Sequence, residues 1–208
     1  MNLENKKILI TAGPTWVAID KVRVISNIAS GKTGILLAEK LQSLGAQVTL
    51  LLGPVGAGCL NKKIKLIRFK FFDELRRLVI KELKAKKYDM AIHSAAVSDY
   101  QPVKMYNGKL ASSKKRLKLT LIPTPKIIDS LKRINKRLRV IAFKFEPGVN
   151  KKRLIRQGRI LLLQNTSDLV VANTLIGRRY LAYLVTRNNI YGPINSREGL
   201  VKNLINRL

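Results

Sequence analysis

The chain has 208 residues, with 41 Lys and Arg against 12 Asp and Glu, a formal net charge of +29. At 46% hydrophobic residues it has the apolar mass for one well-buried core, which excludes a disordered chain, and it lacks the run of about 18 uncharged apolar residues that spans a bilayer. Cys59 and His93 are each the only residue of their kind, so internal disulfides, all-cysteine zinc sites and multi-histidine metal centres are excluded too.

Ile8 to Thr11 reads as a first strand, reached at once with no signal-peptide pattern before it, which predicts a cytoplasmic protein. A helix is predicted from Lys32 through Leu41, its apolar positions spaced by a helical turn and its end set by Gly45 at C′. Val48 to Leu52 and Ile64 to Phe69 are the next strands. Asp73 suits the N-cap of a helix through Leu75, Leu78, Val79 and Leu83. Asp89 to His93 returns as a strand, and Leu117 to Leu121 alternates as a half-exposed one. Pro125 suits the first turn of a helix through Ile127, Ile128 and Leu131. Arg139 to Phe143 and Asp168 to Ala172 are further strands, Leu181 to Thr186 and Ile190 pair as an antiparallel edge, and Ser196 caps the last helix.

Continuous apolar strands alternating with helices imply a mainly parallel sheet covered on both faces. With its C-terminal antiparallel edge this is a Rossmann-like, three-layer α/β architecture. No repeat or linker divides the chain, so residues 1–208 read as a single domain. Ligands of such sheets sit outside the C-terminal strand ends, so the loops after residues 11, 52, 93, 122, 143 and 172 are the candidate sites.

The charge is uneven. Residues 1–100 carry +9 and residues 101–208 carry +20, with twelve basic residues and one acid, Asp129, between Lys104 and Arg139. Such a field attracts polyanions, nucleic acid among them. Aromatics are not interleaved with the basic residues, and no helix-turn-helix, zinc-finger or RNA-recognition signature is present. A basic nucleic-acid-binding protein on a nucleotide-binding scaffold is the alternative class, and it rests on charge alone.

Two loops carry more. The segment Ser26 to Thr33 ends like a GxxxxGK[ST] phosphate loop, but Ser26 stands at the required first glycine and the preceding strand is too far upstream. What survives is that Gly31 and Gly34 permit close backbone approach beside a helix N-terminus, whose free amides favour phosphate. In the loop from His93 to Tyr100, Ala95 and Ala96 let a ligand approach, and Asp99 offers a carboxylate to a hydroxyl or a metal. His93 itself reads as a structural histidine at a strand end. The glycines between Gly53 and Gly58 have the wrong spacing for a GxGxxG dinucleotide fingerprint, which sets an oxidoreductase aside.

Six motifs occur in order. They are Thr-Ala-Gly-Pro-Thr through Ile-Asp, Val-Arg, Ile-Ser-Asn and Ser-Gly-Lys-Thr-Gly (11–34), His-Ser-Ala-Ala-Val-Ser-Asp-Tyr (93–100), and Lys109 with Ser112 and Ser113. Pro-Thr-Pro-Lys-Ile (123–127), Ala-Phe-Lys-Phe-Glu (142–146) and Val-Ala-Asn (171–173) follow. Together they resemble phosphopantothenoylcysteine synthetase, also called phosphopantothenate–cysteine ligase, over essentially the whole chain. Many members carry an N-terminal flavin-dependent decarboxylase, and this chain looks like a stand-alone synthetase served by a separate phosphopantothenoylcysteine decarboxylase. The resemblance implies that 4′-phosphopantothenate attacks a nucleoside triphosphate, releasing pyrophosphate and leaving an acyl-CMP or acyl-AMP. The amine of L-cysteine then displaces the nucleotide to give 4′-phosphopantothenoylcysteine, on the route to coenzyme A. CTP is the expected nucleotide, with ATP as the alternative, and Mg²⁺ is expected to bridge phosphates through few protein ligands.

The resemblance also implies roles. Asn27 would hold the reacting acyl group and Lys109, on a flexible loop, would neutralise phosphate charge. Arg23 would reach the substrate phosphate from the neighbouring subunit of a homodimer. Ala95, Ala96 and Asp99 would line the junction of substrate and nucleotide. Gly13, Gly31, Gly34, Asp99, Lys109, Phe143 and Asn173 would contact the nucleotide, and the backbone of Thr124, Pro125, Lys126 and Ile127 would read its base. No protein metal site is expected. Val17, Lys21 and Ala29 depart from the usual motif, and residues 109–113 lack the second lysine of a Lys-x-Lys form. Gly158 and Leu162 stand where nucleotide-binding lysines are common, a departure that leans away from CTP.

Overall fold

The computed structural model describes residues 3–56, 60–111, 113, 116–164 and 167–208, so Gly58, Cys59 and Ser112 lie outside it. Strands with a buried, mostly apolar run form the centre of one large sheet. They are β1 (Lys7–Ala12), β4 (Gln47–Leu52), β6 (Met90–His93), β9 (Arg139–Phe145) and β10 (Leu169–Ile176). With β5 (Lys65–Arg68), β11 (Arg179–Val185) and β12 (Ile190–Ile194) the order is β12-β11-β10-β9-β6-β1-β4-β5. Pairings from β10 to β5 are parallel, while β10–β11 and β11–β12 are antiparallel, as the sequence pattern implies. Tandem apolar residues point alternately to two cores. Ile8, Ile10, Leu50, Ile92, Ile141 and Val171 face α1 (Lys32–Ser43) and α5 (Arg197–Ile205). Leu9, Leu51, Ala91, Val140 and Val170 face α2 (Phe72–Ala85), α3 (Ile127–Ile134) and α4 (Lys151–Gln164).

The helix signals hold at α1 and α5. Gly45 has φ 90°, and the amides of Gly45 and Ala46 bond Gln42 O and Leu41 O at 3.0 and 3.1 Å, a Schellman closure. Ser196 accepts from the Gly199 amide at 2.9 Å. Elsewhere the chain corrects the prediction. Asp73 lies inside the first turn of α2, because Glu74 caps the helix by accepting from the amides of Lys70 and Phe71 at 2.7 and 3.1 Å. Pro125 precedes the Lys126 cap of α3 and so stands outside its first turn. The strand expected over 117–121 is displaced to β8 (Leu121–Pro123), since Leu117 and Leu121 have no core to cover them and stay exposed.

Three short strands escape the sequence pattern. β2 (Trp16–Ala18) and β3 (Val24–Ser26) form a hairpin inserted between β1 and α1. β7 (Tyr100–Pro102) pairs with β8 as a second ribbon. Three residues are too few to show a period. These two ribbons rise beyond the C-terminal strand ends and frame the site.

Candidate functional site

The chain leaves β1 and crosses through α1 to β4 on one side, while β6 pairs on the other side of β1. The gap between the ends of β1 and β6 is therefore a topological switch point, the expected ligand crevice of an open sheet. Its two loops are stitched together. The amide of Ser94 donates to Thr11 O at 3.0 Å, that of Ala96 to Gly13 O at 2.9 Å, and that of Thr15 to Ala96 O at 3.3 Å. The Ser98 amide donates to Thr15 Oγ1 at 2.9 Å, and Ser98 Oγ to Thr15 O at 3.1 Å. Small and hydroxylated residues are needed here because they pair backbone to backbone without filling the crevice.

Asn27, at the end of the hairpin, reaches the same crest. Its Nδ2 donates to Ala96 O at 3.2 Å and Val97 O at 3.0 Å, so the amide is oriented by the loop it would serve. Beside it α1 begins at Gly31, whose φ of 69° is left-handed and which supplies no side-chain cap. The Lys32 amide donates only a long bond to Ser30 Oγ at 3.5 Å, and the next amides of α1 have no side-chain cap, which suits an anionic ligand. Gly13 and Gly31 approach each other, a Cβ on Gly31 falling 3.4 Å from Gly13 Cα. Gly34 has a different job: a Cβ there would lie 2.4 Å from Ala12 Cβ and 2.8 Å from Ser94 Oγ, so this glycine seats the helix on the strand ends.

Across the crest, the ribbon brings in the 124–127 segment. The Thr124 amide donates to Asp99 O at 2.9 Å, and its hydroxyl to Ser98 O at 2.6 Å. Lys126 forms an ion pair with Asp99, and both side chains are more than half exposed. Ile127 is buried at the start of α3. Phe143 and Asn173 lie on β9 and β10 and share the α1 face with Ile141 and Val171. Asn173 Oδ1 is buried with no hydrogen-bond partner among the described residues.

His93 ends β6 with its Nδ1 2.8 Å from Thr11 Oγ1, a hydroxyl that also receives the Ala95 amide at 3.3 Å. Desolvation pushes its pKa down to about 4, which keeps the ring neutral. Arg23 and Lys109 form a separate group at the far turn of the hairpin. The Tyr106 amide donates to Ile19 O at 2.9 Å and the Lys21 amide to Gly108 O at 3.1 Å. Leu110 N donates to Asp20 Oδ2 at 3.0 Å, and Arg23 Nη1 donates to the same oxygen at 2.7 Å and to Leu110 O at 3.2 Å. The Lys109 side chain projects from a segment held on both flanks. Asp20 stood in the opening motif without a role, and nothing in the sequence marks it off from an ordinary turn aspartate. Its pKa is lowered to about 2, first by the Leu110 amide and further by the amides of Val22 and Arg23 and the Arg23 charge. Gly158 and Leu162 are buried in α4 against the sheet, a Cβ on Gly158 meeting Ala172 Cβ at 3.0 Å. These positions belong to the core, so the absence of lysines there says nothing about a nucleotide.

Residues 3–191 match the family described as the DNA/pantothenate metabolism flavoprotein C-terminal domain. Over 174 residues the chain is 38% identical to the coenzyme A biosynthesis bifunctional protein CoaBC of Thermococcus kodakarensis, a match covering 84% of this chain and 42% of that protein. The chain therefore corresponds to less than half of that relative. Among solved structures, the DNA/pantothenate metabolism flavoprotein from Streptococcus pneumoniae superposes with a TM-score of 0.88 at 28% identity, covering 97% of each chain. A histidine-to-alanine mutant of Cab2 in complex with phosphopantothenate-cysteine shares the fold, with a TM-score of 0.75, 19% identity, and 98% and 86% of the two chains covered.

Proposed function

Since the chain belongs to the family of the DNA/pantothenate metabolism flavoprotein C-terminal domain, we propose that it is a ligase joining 4′-phosphopantothenate to L-cysteine through an acyl-nucleotide. The observation that carries this reading is the crest at the β1/β6 switch point. There an uncapped helix start, the Asn27 amide on the 96–97 backbone and the Asp99–Lys126 pair lie around one crevice. The helix start suits phosphate. Asn27 is placed to steady the acyl carbonyl by shifting one N–H from the loop to the developing oxyanion. Lys109 offsets phosphate charge. Residues 1–208 act as one synthetase domain, whose product suits a phosphopantothenoylcysteine decarboxylase.

For the nucleotide, the unpartnered Asn173 Oδ1 is an acceptor facing the Phe143 side of the sheet. It suits the exocyclic amine of cytosine or adenine and opposes the carbonyl of uracil or guanine. The 123–128 segment, bonded to the Asp99 loop, resembles the CTP-using type and favours CTP over ATP. Mg²⁺ is carried by the triphosphate and bridges its oxygens through few protein ligands. Val22, Val24, Val103, Met105, Leu121 and Ile122 are exposed on the hairpin and the ribbon region, and this apolar surface supports a homodimer.

Pyrophosphate release with phosphopantothenate, cysteine and each of the four nucleoside triphosphates tests the reading. CTP is expected to give the highest specificity constant, ATP the next, and UTP and GTP little. A higher value for ATP overturns the nucleotide assignment, and no release with any nucleotide overturns the ligase.

A further inference from the structure

We propose that Asp20 is a positioning residue that sets the place of Lys109 and ties it to Arg23, an inference that rests on the ligase reading above. Asp20 is 2% exposed, and a buried carboxylate must be given donors. Its Oδ1 accepts the amides of Val22 and Arg23 at 2.8 and 2.7 Å, which is all that the 19–23 turn needs to close. Its Oδ2 does something the turn does not require. It takes the amide of Leu110, ninety residues downstream, and Arg23 Nη1.

The second oxygen therefore completes a short zipper. Tyr106 bonds Ile19, Lys21 bonds Gly108, and Leu110 bonds both Asp20 and Arg23. Leu110 is buried, and Lys109 projects between Gly108 and Leu110 into solvent. A lysine whose neighbours on both sides are pinned has a smaller volume to search than one on a free loop. Charge stabilisation in a reaction depends on such placement. Both cations that the reaction would use, Lys109 and Arg23, thus hang on one carboxylate.

Asp20→Asn separates the two oxygens. The retained carbonyl can still close the turn, while the new NH₂ faces the Leu110 amide and the Arg23 guanidinium, donor against donor. The experiment measures pyrophosphate release by wild type, Asp20→Asn, Lys109→Ala and the double variant, with melting temperature and amide exchange of residues 106–111. Asp20→Asn is expected to lower kcat about tenfold or more, the scale of misplacing a catalytic group. In the Lys109→Ala background it is expected to remove less than a further threefold, because the group it positions is gone. Exchange at 106–111 should rise, the melting temperature should fall by several degrees as two buried donors lose their acceptor, and Asp20→Glu should recover part of the rate. Additive losses in the double variant, or unchanged exchange at 106–111, overturn the proposal and leave the ligase reading intact. Wild-type kcat in Lys109→Ala removes Lys109 from the reaction and this proposal with it. Absence of pyrophosphate release by wild type sinks the ligase reading, and the exchange comparison then still decides the tether. If the Asn variant does not fold, Asp20→Ser keeps an acceptor for the turn and takes its place.

Discussion

Asn27 shows how a single amide is committed by its surroundings. It holds two backbone carbonyls of the 96–97 loop, so Asn27→Asp would set a carboxylate against two carbonyl oxygens. Both the loop and the donated hydrogen bond are lost together, and turnover is expected to fall by roughly a hundredfold or more, the scale of removing one oxyanion donor. Lys109→Ala should cost a similar factor with no loss of stability, because its side chain is exposed. Steady-state kinetics beside thermal melts separates the two variants, and near-normal rates in both remove these residues from the mechanism. His93 gives a prediction in pH. Its pKa is about 4 in the folded chain against 6.5 when exposed, so the unfolded state binds the extra proton between these values. Its contribution to stability is complete above pH 6.5 and is lost as the pH falls towards 4. The loss amounts to about 2 kcal/mol between pH 7 and pH 5. Urea unfolding at the two pH values checks this, and His93→Gln should flatten the difference. As the only histidine, its ring is also unambiguous by NMR, and a titration near pH 6.5 in the folded protein would contradict the buried, neutral ring.

The start of α1 is the element on which the crest depends. Gly31 is left-handed and supplies no side-chain cap to α1, whereas Gly34 is a packing contact with Ala12 and Ser94. Gly34→Ala therefore forces the helix away from the strand ends even though alanine favours helix. A loss of about 1–3 kcal/mol is expected, the usual cost of overpacking, and activity should fall with it because the N-terminus shifts. Gly56→Ala, where a Cβ meets nothing within 4 Å, is the matched control. A neutral Gly34→Ala would show that the helix can move without consequence. The same contrast marks what the sequence makes legible. β1, β4, β6, β9 and β10 announce themselves because a strand buried on both faces carries a near-continuous apolar run. Gly45 and Ser196 were readable because caps obey local chemistry. The β2–β3 hairpin was not, since its pairing is set by contacts with β7 and the 106–110 segment, far along the chain. Asp73 mimics a cap because Glu74, one residue later, reaches back to do that work. Asn27, Ala96 and Asp99 are marked by motif resemblance, whereas the role of Asp20 shows only in the fold. Its partner Leu110 is an apolar residue contributing only its backbone, and a backbone amide leaves no trace in the sequence.

At the scale of the molecule, +29 and the exposed apolar ribbons pull the reading in two directions. The charge ensures attraction to nucleic acid at low salt, but screening should leave it weak and indifferent to sequence near physiological ionic strength. Tight, sequence-selective binding there would favour the nucleic-acid class. The apolar ribbons suit a second copy, and the hairpin that carries them also carries Arg23. In its own chain Arg23 commits Nη1 to Asp20 and Leu110, and among the described residues no hydrogen bond engages its Nε and Nη2 edge, which suits a substrate phosphate. If that edge serves the neighbouring subunit, Arg23 and Asn27 complete one site from two chains. An Arg23→Ala subunit and an Asn27→Asp subunit, each inactive alone, then make a mixed dimer in which one site holds both wild-type residues and the other holds neither. Random mixing puts half of all dimers in the mixed form, so refolding the two variants together should restore about a quarter of wild-type sites, an expectation that follows from the two-fold symmetry of such an interface. Differently tagged subunits allow the mixed dimer to be purified before assay, raising the expected value to about half. An inactive mixed dimer would mean that Arg23 serves the site of its own chain, and the Asp20 carboxylate would then hold both cations of a single centre.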